Sequence, residues 1–173
     1  GSNIATQSVG EGRYENIIVS NISLVGKYPG PIRMVDLANV SGGIDYVIIG
    51  DDYITFNRSS HAIQINYTIL DYAIGDLDMD GYDEVVVLTD HLLYAVDDDS
   101  TLMWIATRNG DVDRLYIGNI PSPDYGLVIC WKNNTNFVVY YNYTGEYLGG
   151  VSLNVTVERL NITQMGHLGE YLV

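Results

Sequence analysis

A short pattern recurs four times along this chain of 173 residues and constrains its fold more than any other feature. Each copy reads apolar, small or β-branched, then Asp, Asn or Gln, then apolar. The copies occupy residues 34–37, 74–77, 117–120 and 162–165, so that successive copies lie 40, 43 and 45 residues apart. A period of this length indicates stacked units, each of them one small element that buries its apolar face against its neighbours.

Short apolar runs follow each copy, and their number predicts four strands per unit. The second runs lie at residues 46–49, 85–88, 127–131 and 171–173, the third at 53–56, 92–96 and 137–141, and the fourth at 62–65, 102–105 and 147–151. Four short strands in 40–45 residues are typical of a β-propeller blade. No stretch shows the 3.6-residue period of an amphipathic helix over a dozen positions, so we expect an all-β fold.

The two ends of the chain together supply a fourth blade. The last unit stops after two predicted strands, and two further strands are predicted at residues 14–19 and 23–28. A blade built from both termini closes a ring and removes exposed sheet edges. We therefore predict a single β-propeller domain over residues 1–173, with four blades of four antiparallel strands and a last blade shared by the termini. The units span residues 31–70, 71–113 and 114–158, and the last combines 159–173 with 13–30. The alternative is a segment of a six- to eight-bladed propeller.

The second unit carries oxygen-bearing groups at the spacing of metal ligands, in the sequence GDLDMDGYDEVVV of residues 75–87. The candidate ligands, at loop positions 1, 3, 5, 7 and 9, are Asp76, Asp78, Asp80, the main-chain carbonyl of Tyr82, and Glu84. Ca²⁺ accepts about 6–8 oxygens at flexible geometry, whereas Mg²⁺ requires a tighter octahedron. An EF-hand is excluded because its twelfth position would be Val87, inside a predicted strand, where that motif needs Glu.

This loop resembles the calcium loop of the FG-GAP repeats, which occur in integrin α-subunit propellers and in many secreted microbial proteins. The matching residues are Asp76, Asp78, Asp80, Gly81 and Glu84. Integrins usually carry Asp at the last of these positions, and Glu84 keeps the carboxylate. The resemblance is well matched over residues 75–88 and weaker over the other repeats. It implies a propeller with a structural Ca²⁺ between the first two strands of a blade. We expect one such site here, because only the second unit carries the acidic set.

Sequons of the form Asn-X-Ser/Thr are about five times more frequent than the composition predicts. Ser and Thr make up 20 of the 173 residues, so chance predicts about 1.6 sequons among the 14 asparagines. The eight predicted glycosylation sites are Asn21, Asn39, Asn57, Asn66, Asn133, Asn142, Asn154 and Asn161. This excess predicts a glycoprotein that is extracellular or at the cell surface, either secreted or as the ectodomain of a larger membrane-anchored protein.

The charge of the chain argues against several classes of partner. The net charge is −14, and Lys27 and Lys132 are the only lysines. Nucleic acid is disfavoured because phosphate contacts need clustered Lys and Arg. No apolar run approaches 18 residues, so we expect no membrane insertion of this domain. Gly1 and Ser2 resemble the remnant of a cleaved tag.

Residues that could carry catalysis are few. The three histidines, His61, His91 and His167, lie in different units beside no catalytic motif, and Cys130 stands alone in an apolar run that predicts a buried thiol. We therefore expect a calcium-stabilised, non-catalytic interaction or adhesion module with a protein or glycan partner at the cell surface. Two alternatives stay open: a propeller lyase or glycosidase acting on carbohydrate, and a structural subunit of a surface layer or appendage.

Overall fold

The structure is a computed structural model that describes residues 28–59, 61–121 and 124–157. All regular secondary structure in these residues is β-strand, which confirms the prediction of an all-β fold. Within the same ranges, no helix has the length and apolar character needed to cross a membrane.

Twelve strands of the described part form three antiparallel sheets. Sheet 1 contains β1 (Ile32–Val40), β2 (Gly43–Gly50), β3 (Tyr53–Phe56) and β4 (Ile63–Gln64). Sheet 2 contains β5 (Ile69–Gly75), β6 (Glu84–Thr89), β7 (Leu92–Val96) and β8 (Leu102–Thr107). Sheet 3 contains β9 (Arg114–Pro121), β10 (Asp124–Trp131), β11 (Thr135–Asn142) and β12 (Tyr147–Val157).

In each sheet every strand pairs with the next one along the chain, so that the spatial order is the sequence order. Four strands per unit are thereby confirmed for the three units that the described residues cover. The fourth unit lies outside these residues except for residues 28–30, and of its strands predicted at residues 14–19 and 23–28 only Tyr28 is described.

The central strands are buried on both faces because each sheet packs against the next. All six residues of β6 are buried, and its side chains alternate between two apolar clusters. Val85 and Val87 pack with sheet 1, whereas Val86 and Leu88 pack with sheet 3. This alternation is the period of two that a strand imposes on its side chains. A continuous run of branched apolar residues therefore folds as a strand that lies between two neighbouring sheets.

Sheet 3 continues the same arrangement. Val128 and Cys130 of β10 belong to the cluster shared with sheet 2, and Leu127, Ile129 and Trp131 pack in a third cluster on the opposite face. Face-to-face stacking of four-stranded meanders is the packing of a propeller-like fold.

Hydrogen bonds join neighbouring sheets in addition to apolar packing. The Tyr72 hydroxyl donates to Asp36 Oδ2 of sheet 1 at 3.1 Å. The Leu115 N–H of sheet 3 donates to Asp71 Oδ2 of sheet 2 at 3.0 Å. Burial raises the pKa of Asp71, and the Leu115 bond partly offsets this because it favours the ionised carboxylate.

Candidate metal centre

The predicted metal loop (residues 76–84) connects β5 and β6, the first two strands of sheet 2. Its backbone enters the left-handed region at Met79, with φ of 66°, and at Gly81, with φ of 95°. Gly81 suits such a position because it has no Cβ, whereas Met79 adopts it at some conformational cost. The loop is therefore a compact turn.

Side-chain carboxylates of the loop accept hydrogen bonds from its own backbone. Asp76 Oδ2 accepts from the Gly81 N–H at 3.1 Å, and Asp78 Oδ1 accepts from the Asp80 N–H at 3.2 Å. Asp80 Oδ1 accepts from the Tyr82 N–H at 2.8 Å. Short aspartate side chains favour such local turns, and these bonds hold the carboxylates inside the loop.

Three of the predicted ligands converge. Asp76, Asp78 and Glu84 each offer a carboxylate oxygen, and these oxygens lie within 4.8 Å of one another. Asp80 is exposed and lies outside this group, and the Tyr82 side chain is exposed as well. The ligand roles of Asp80 and of the Tyr82 carbonyl stay predictions.

Glu84 is the most buried member of the group, with 0% of its surface exposed. Its Oε2 accepts hydrogen bonds from the Leu77 N–H at 2.6 Å and from the Asp78 N–H at 3.3 Å. Two buried oxygens, Glu84 Oε1 and Asp76 Oδ1, have no hydrogen-bond partner among the described residues. Buried carboxylate oxygens without a partner destabilise a fold, and a bound cation would satisfy them.

The electrostatics of the group also favour a cation. Burial is the largest of the effects that raise the pKa of Glu84 to about 8, and the neighbouring Asp78 carboxylate contributes to the same shift. Burial, together with Asp80 and Asp76, raises the pKa of Asp78. A divalent cation would favour the ionised form of each group and reverse these shifts. An all-oxygen donor set suits a hard ion such as Ca²⁺.

Asn39 and Gly126, which lie outside the loop, form hydrogen bonds with it, and sequence reasoning did not assign them this role. Asn39 of β1 donates its side-chain amide to the Gly81 carbonyl, and Gly126 of β10 donates its N–H to the Leu77 carbonyl. No local pattern marks either contact, because the partners belong to different repeat units. Asn39 is prominent in the sequence only as a sequon.

The predicted glycosylation sites differ in accessibility. Asn39, Asn66, Asn133 and Asn154 are exposed. Asn57 is buried and accepts a hydrogen bond from the Tyr28 hydroxyl at 2.7 Å. Asn142 is half-buried, and its Oδ1 accepts from the N–H groups of Thr144 and Glu146. Asn21 and Asn161 lie outside the described residues. The four exposed asparagines are therefore the most accessible acceptors.

A polar cleft of about 600 Å³ lies at the opposite ends of the strands from the metal loop, at the junction of sheets 1 and 2. Its lining includes Arg33, Asp51, Asp52 and Asp90, and Arg33 pairs with Asp51 at 3.4 Å. Three aspartates and one arginine give this cleft a negative charge, which disfavours anionic ligands.

The residues considered for catalysis that the structure describes belong to different sheets or to the turns beside them. His91 stacks on Tyr67 at 4.8 Å and pairs with Asp90 at 3.0 Å. His61 is exposed in the turn after β3, and His167 lies outside the described residues. Cys130 is fully buried, and burial raises the pKa of its thiol. A thiol in this environment is a weak nucleophile.

No family model matches the chain, and no curated protein matches it. Eleven chains of solved structures are similar to it. One belongs to the crystal structure of BBS1N in complex with ARL6DN, soaked with mercury; it is 14% identical, with a TM-score of 0.52 over 72% of this chain and 41% of that chain. Another is the biofilm matrix protein Bap1 of V. cholerae, 15% identical, with a TM-score of 0.48 over 75% of this chain and 22% of that chain. The first likeness supports the propeller-like, all-β fold. This chain spans less than half of either structure.

Proposed function

We propose that this chain is a calcium-stabilised, non-catalytic interaction or adhesion module, exposed outside the cell and glycosylated, with a protein or glycan partner. The calcium site is supported by two buried oxygens, Glu84 Oε1 and Asp76 Oδ1, which lie next to the carboxylate of Asp78 and have no hydrogen-bond partner in the part of the chain that the structure describes. The divalent ion would offset two of the three negative charges of the clustered carboxylates and would link the first two strands of sheet 2. Its role is structural.

The finer architecture belongs to the same proposal. Sheets 1, 2 and 3 are three blades, and the fourth blade combines the strands predicted at residues 14–19 and 23–28 with those at 162–165 and 171–173. In such a blade, residues 14–19 pair with residues 171–173. Cross-strand NOEs between these two segments test closure by this chain. If residues 14–19 pair with no strand of this chain, the chain is a segment of a larger ring.

The metal proposal is tested by melting and titrating the protein in Ca²⁺ and in chelator. A ligand that binds only the folded state stabilises it by about 2.7 kcal/mol at a hundredfold excess over its Kd. The variant Asp78→Ala should lose this gain and should melt in chelator close to the wild type. Asp52→Ala removes the same charge from an exposed residue at the far ends of the strands and should keep the gain. Equal melting of the wild type in Ca²⁺ and in chelator would overturn the calcium site.

The extracellular part of the proposal rests on the sequons and is tested independently. Peptide mapping of the protein purified from its natural source should find glycans on the exposed asparagines Asn39, Asn66, Asn133 and Asn154. Absence of glycan from all of them would remove the argument for a surface location and leave the calcium site unaffected.

A further inference from the structure

Asn39 of the neighbouring sheet 1 attaches that sheet to the second half of the metal loop. The Asn39 side-chain amide donates to the Gly81 carbonyl at 2.9 Å. Its N–H donates to Asp83 Oδ2 at 2.6 Å, and its carbonyl accepts from the Asp83 N–H at 2.6 Å. Three hydrogen bonds therefore hold the stretch between Asp80 and Glu84 against the end of β1.

The first half of the loop is attached to sheet 3. The Gly126 N–H donates to the Leu77 carbonyl at 2.8 Å, and the Leu77 N–H donates to Glu84 Oε2. A Cβ at Gly126 would lie 2.5 Å from the Leu77 oxygen, so this close approach requires glycine. Sheet 3 thus positions the first half of the loop and sheet 1 the second half, although the loop itself belongs to sheet 2.

These contacts bear on metal affinity because the carboxylates of an empty loop repel one another. A loop that must be ordered when the ion binds loses affinity, whereas a loop that is already ordered keeps it. Asn39 lies outside the group of converging carboxylates, so its effect on binding is indirect.

We propose that Asn39 is a positioning residue for the calcium site, which orders the loop from the neighbouring sheet through its side-chain amide. The inference rests on the proposed function. Two neighbouring blades then contribute to the site, because one supplies the metal ligands and the other supplies the Asn39 hydrogen bond that orders the loop.

The same amide nitrogen belongs to the sequon Asn39-Val40-Ser41, so the effects of the amide and of a glycan must be separated. Ser41→Ala destroys the sequon and keeps the Asn39 amide. It also keeps the hydrogen bond from the Ser41 N–H to Asp98 Oδ2, which is made by the main chain. Asn154→Ala removes an exposed sequon asparagine on β12, far from the loop in the chain. These two variants are the matched controls.

The experiment is calorimetric titration with Ca²⁺ of the full chain, produced in a host that does not glycosylate it. Asn39→Ala should raise the Kd by about fivefold, the factor that corresponds to the net contribution of one hydrogen bond. Its melting temperature should fall less in chelator than in Ca²⁺, because the two main-chain bonds to Asp83 remain and the weaker binding lowers only the stability of the calcium-bound state. Ser41→Ala and Asn154→Ala should keep the wild-type Kd.

The possible failures are distinguishable. No binding heat with the wild type overturns the calcium site and the role of Asn39 together. Wild-type binding with an equal Kd in Asn39→Ala overturns the role of Asn39 alone. If Asn39→Ala does not melt cooperatively, Asn39→Ser, which keeps a short polar side chain, takes its place in the same comparison and is judged by the same Kd.

Discussion

The buried carboxylate of Glu84 accepts a hydrogen bond from the main-chain N–H of Leu77, with 2.6 Å between Oε2 and N. Glu84 begins β6, and Leu77 lies two residues beyond the end of β5, so this bond closes the metal loop at its base. The second oxygen, Oε1, has no hydrogen-bond partner in the described part of the chain. One carboxylate thus connects the two ends of the loop through a hydrogen bond and, in our proposal, also binds the cation.

Replacing Glu84 by Gln separates these two roles, because the amide keeps the size and one oxygen of the carboxylate but loses its charge. In chelator at pH 8 we expect Glu84→Gln to melt at or above the wild-type temperature, since a buried charge without a counterion has been removed. In Ca²⁺ we expect it to lack the gain of about 2.7 kcal/mol available to the wild type at a hundredfold excess. Thermal melts of both proteins in both buffers measure this. A Ca²⁺ gain in Glu84→Gln equal to that of the wild type would contradict the prediction.

The calcium-free protein should lose stability as the pH rises. Burial raises the pKa of Glu84 from an ordinary value of 4.5 to about 8 in the folded state. The folded protein therefore binds more protons than the unfolded chain between these values, so its free energy of unfolding falls as the pH rises through this window. Urea denaturation in chelator from about pH 5 to pH 8.5 measures the slope.

The control for this slope is Glu84→Gln, which lacks the titrating group. As the pH rises, the free energy of unfolding of the wild type should fall relative to that of Glu84→Gln. Saturating Ca²⁺ should reduce the wild-type slope, because the cation favours the ionised carboxylate. A difference that does not vary with pH would mean that Glu84 titrates normally in the folded protein.

The central strands could be predicted from the sequence because burial on both faces leaves a strong signal. The predicted runs at residues 53–56 and 92–96 coincide with β3 and β7. The outer strands were less predictable: β4 comprises only Ile63–Gln64, and β12 continues to Val157, six residues beyond its predicted end. Such strands carry alternating exposed residues, so their lengths depend on partners that the local sequence does not reveal.

For the metal site, the contacts within the loop could be predicted from the sequence, whereas its contacts with other sheets could not. The spacing of Asp76, Asp78 and Glu84 anticipates their convergence because a loop of nine residues brings its own members together. The contacts of Asn39 and Gly126 could not be anticipated, since they depend on how one sheet packs on the next. The bond from Leu77 to Glu84 also escaped prediction, because nothing in the spacing distinguishes a ligand oxygen from one that closes the loop.

Gly145 should tolerate substitution less well than Gly43, although both have positive φ. Gly145 has φ of 81°, and a Cβ there would lie 2.7 Å from the ring of Trp104, whose Nε1 donates to the Tyr143 carbonyl at 2.7 Å. Gly43 has φ of 112° and no neighbour within 4 Å of an added Cβ. We expect Gly43→Ala to cost about 1 kcal/mol for backbone strain alone and Gly145→Ala roughly 2–4 kcal/mol, because the indole must also move.

Denaturant unfolding of the two glycine variants, followed by tryptophan fluorescence, measures these costs. The comparison isolates the contact between sheets 2 and 3, because the Gly43 variant measures the cost of backbone strain alone. Equal costs in the two variants would indicate that Trp104 can move away from Gly145 without loss of packing.

Cys130 offers a chemical measure of how far calcium stabilisation extends beyond its own sheet. The thiol is fully buried in the cluster between sheets 2 and 3, where it is grouped with Val86 and Leu88 of β6. Burial raises its pKa, and thiol reagents attack the thiolate. The folded protein should therefore react only through transient opening, at a rate set by the opening equilibrium when closing is fast.

Calcium should slow this labelling even though the metal loop and the thiol lie in different sheets. In repeat proteins the units are coupled through their interfaces. A ligand bound to one unit therefore reduces the opening of its neighbour only if the interface couples the opening of the two units. Here the apolar cluster and the hydrogen bond from Gly126 to Leu77 join the two sheets. If they open together, Ca²⁺ at a hundredfold excess over its Kd should slow labelling by about a hundredfold, whereas Glu84→Gln should be labelled equally fast with and without Ca²⁺. Labelling of the wild type that does not depend on Ca²⁺, in a protein shown to bind it, would mean that sheet 3 opens independently of the metal loop.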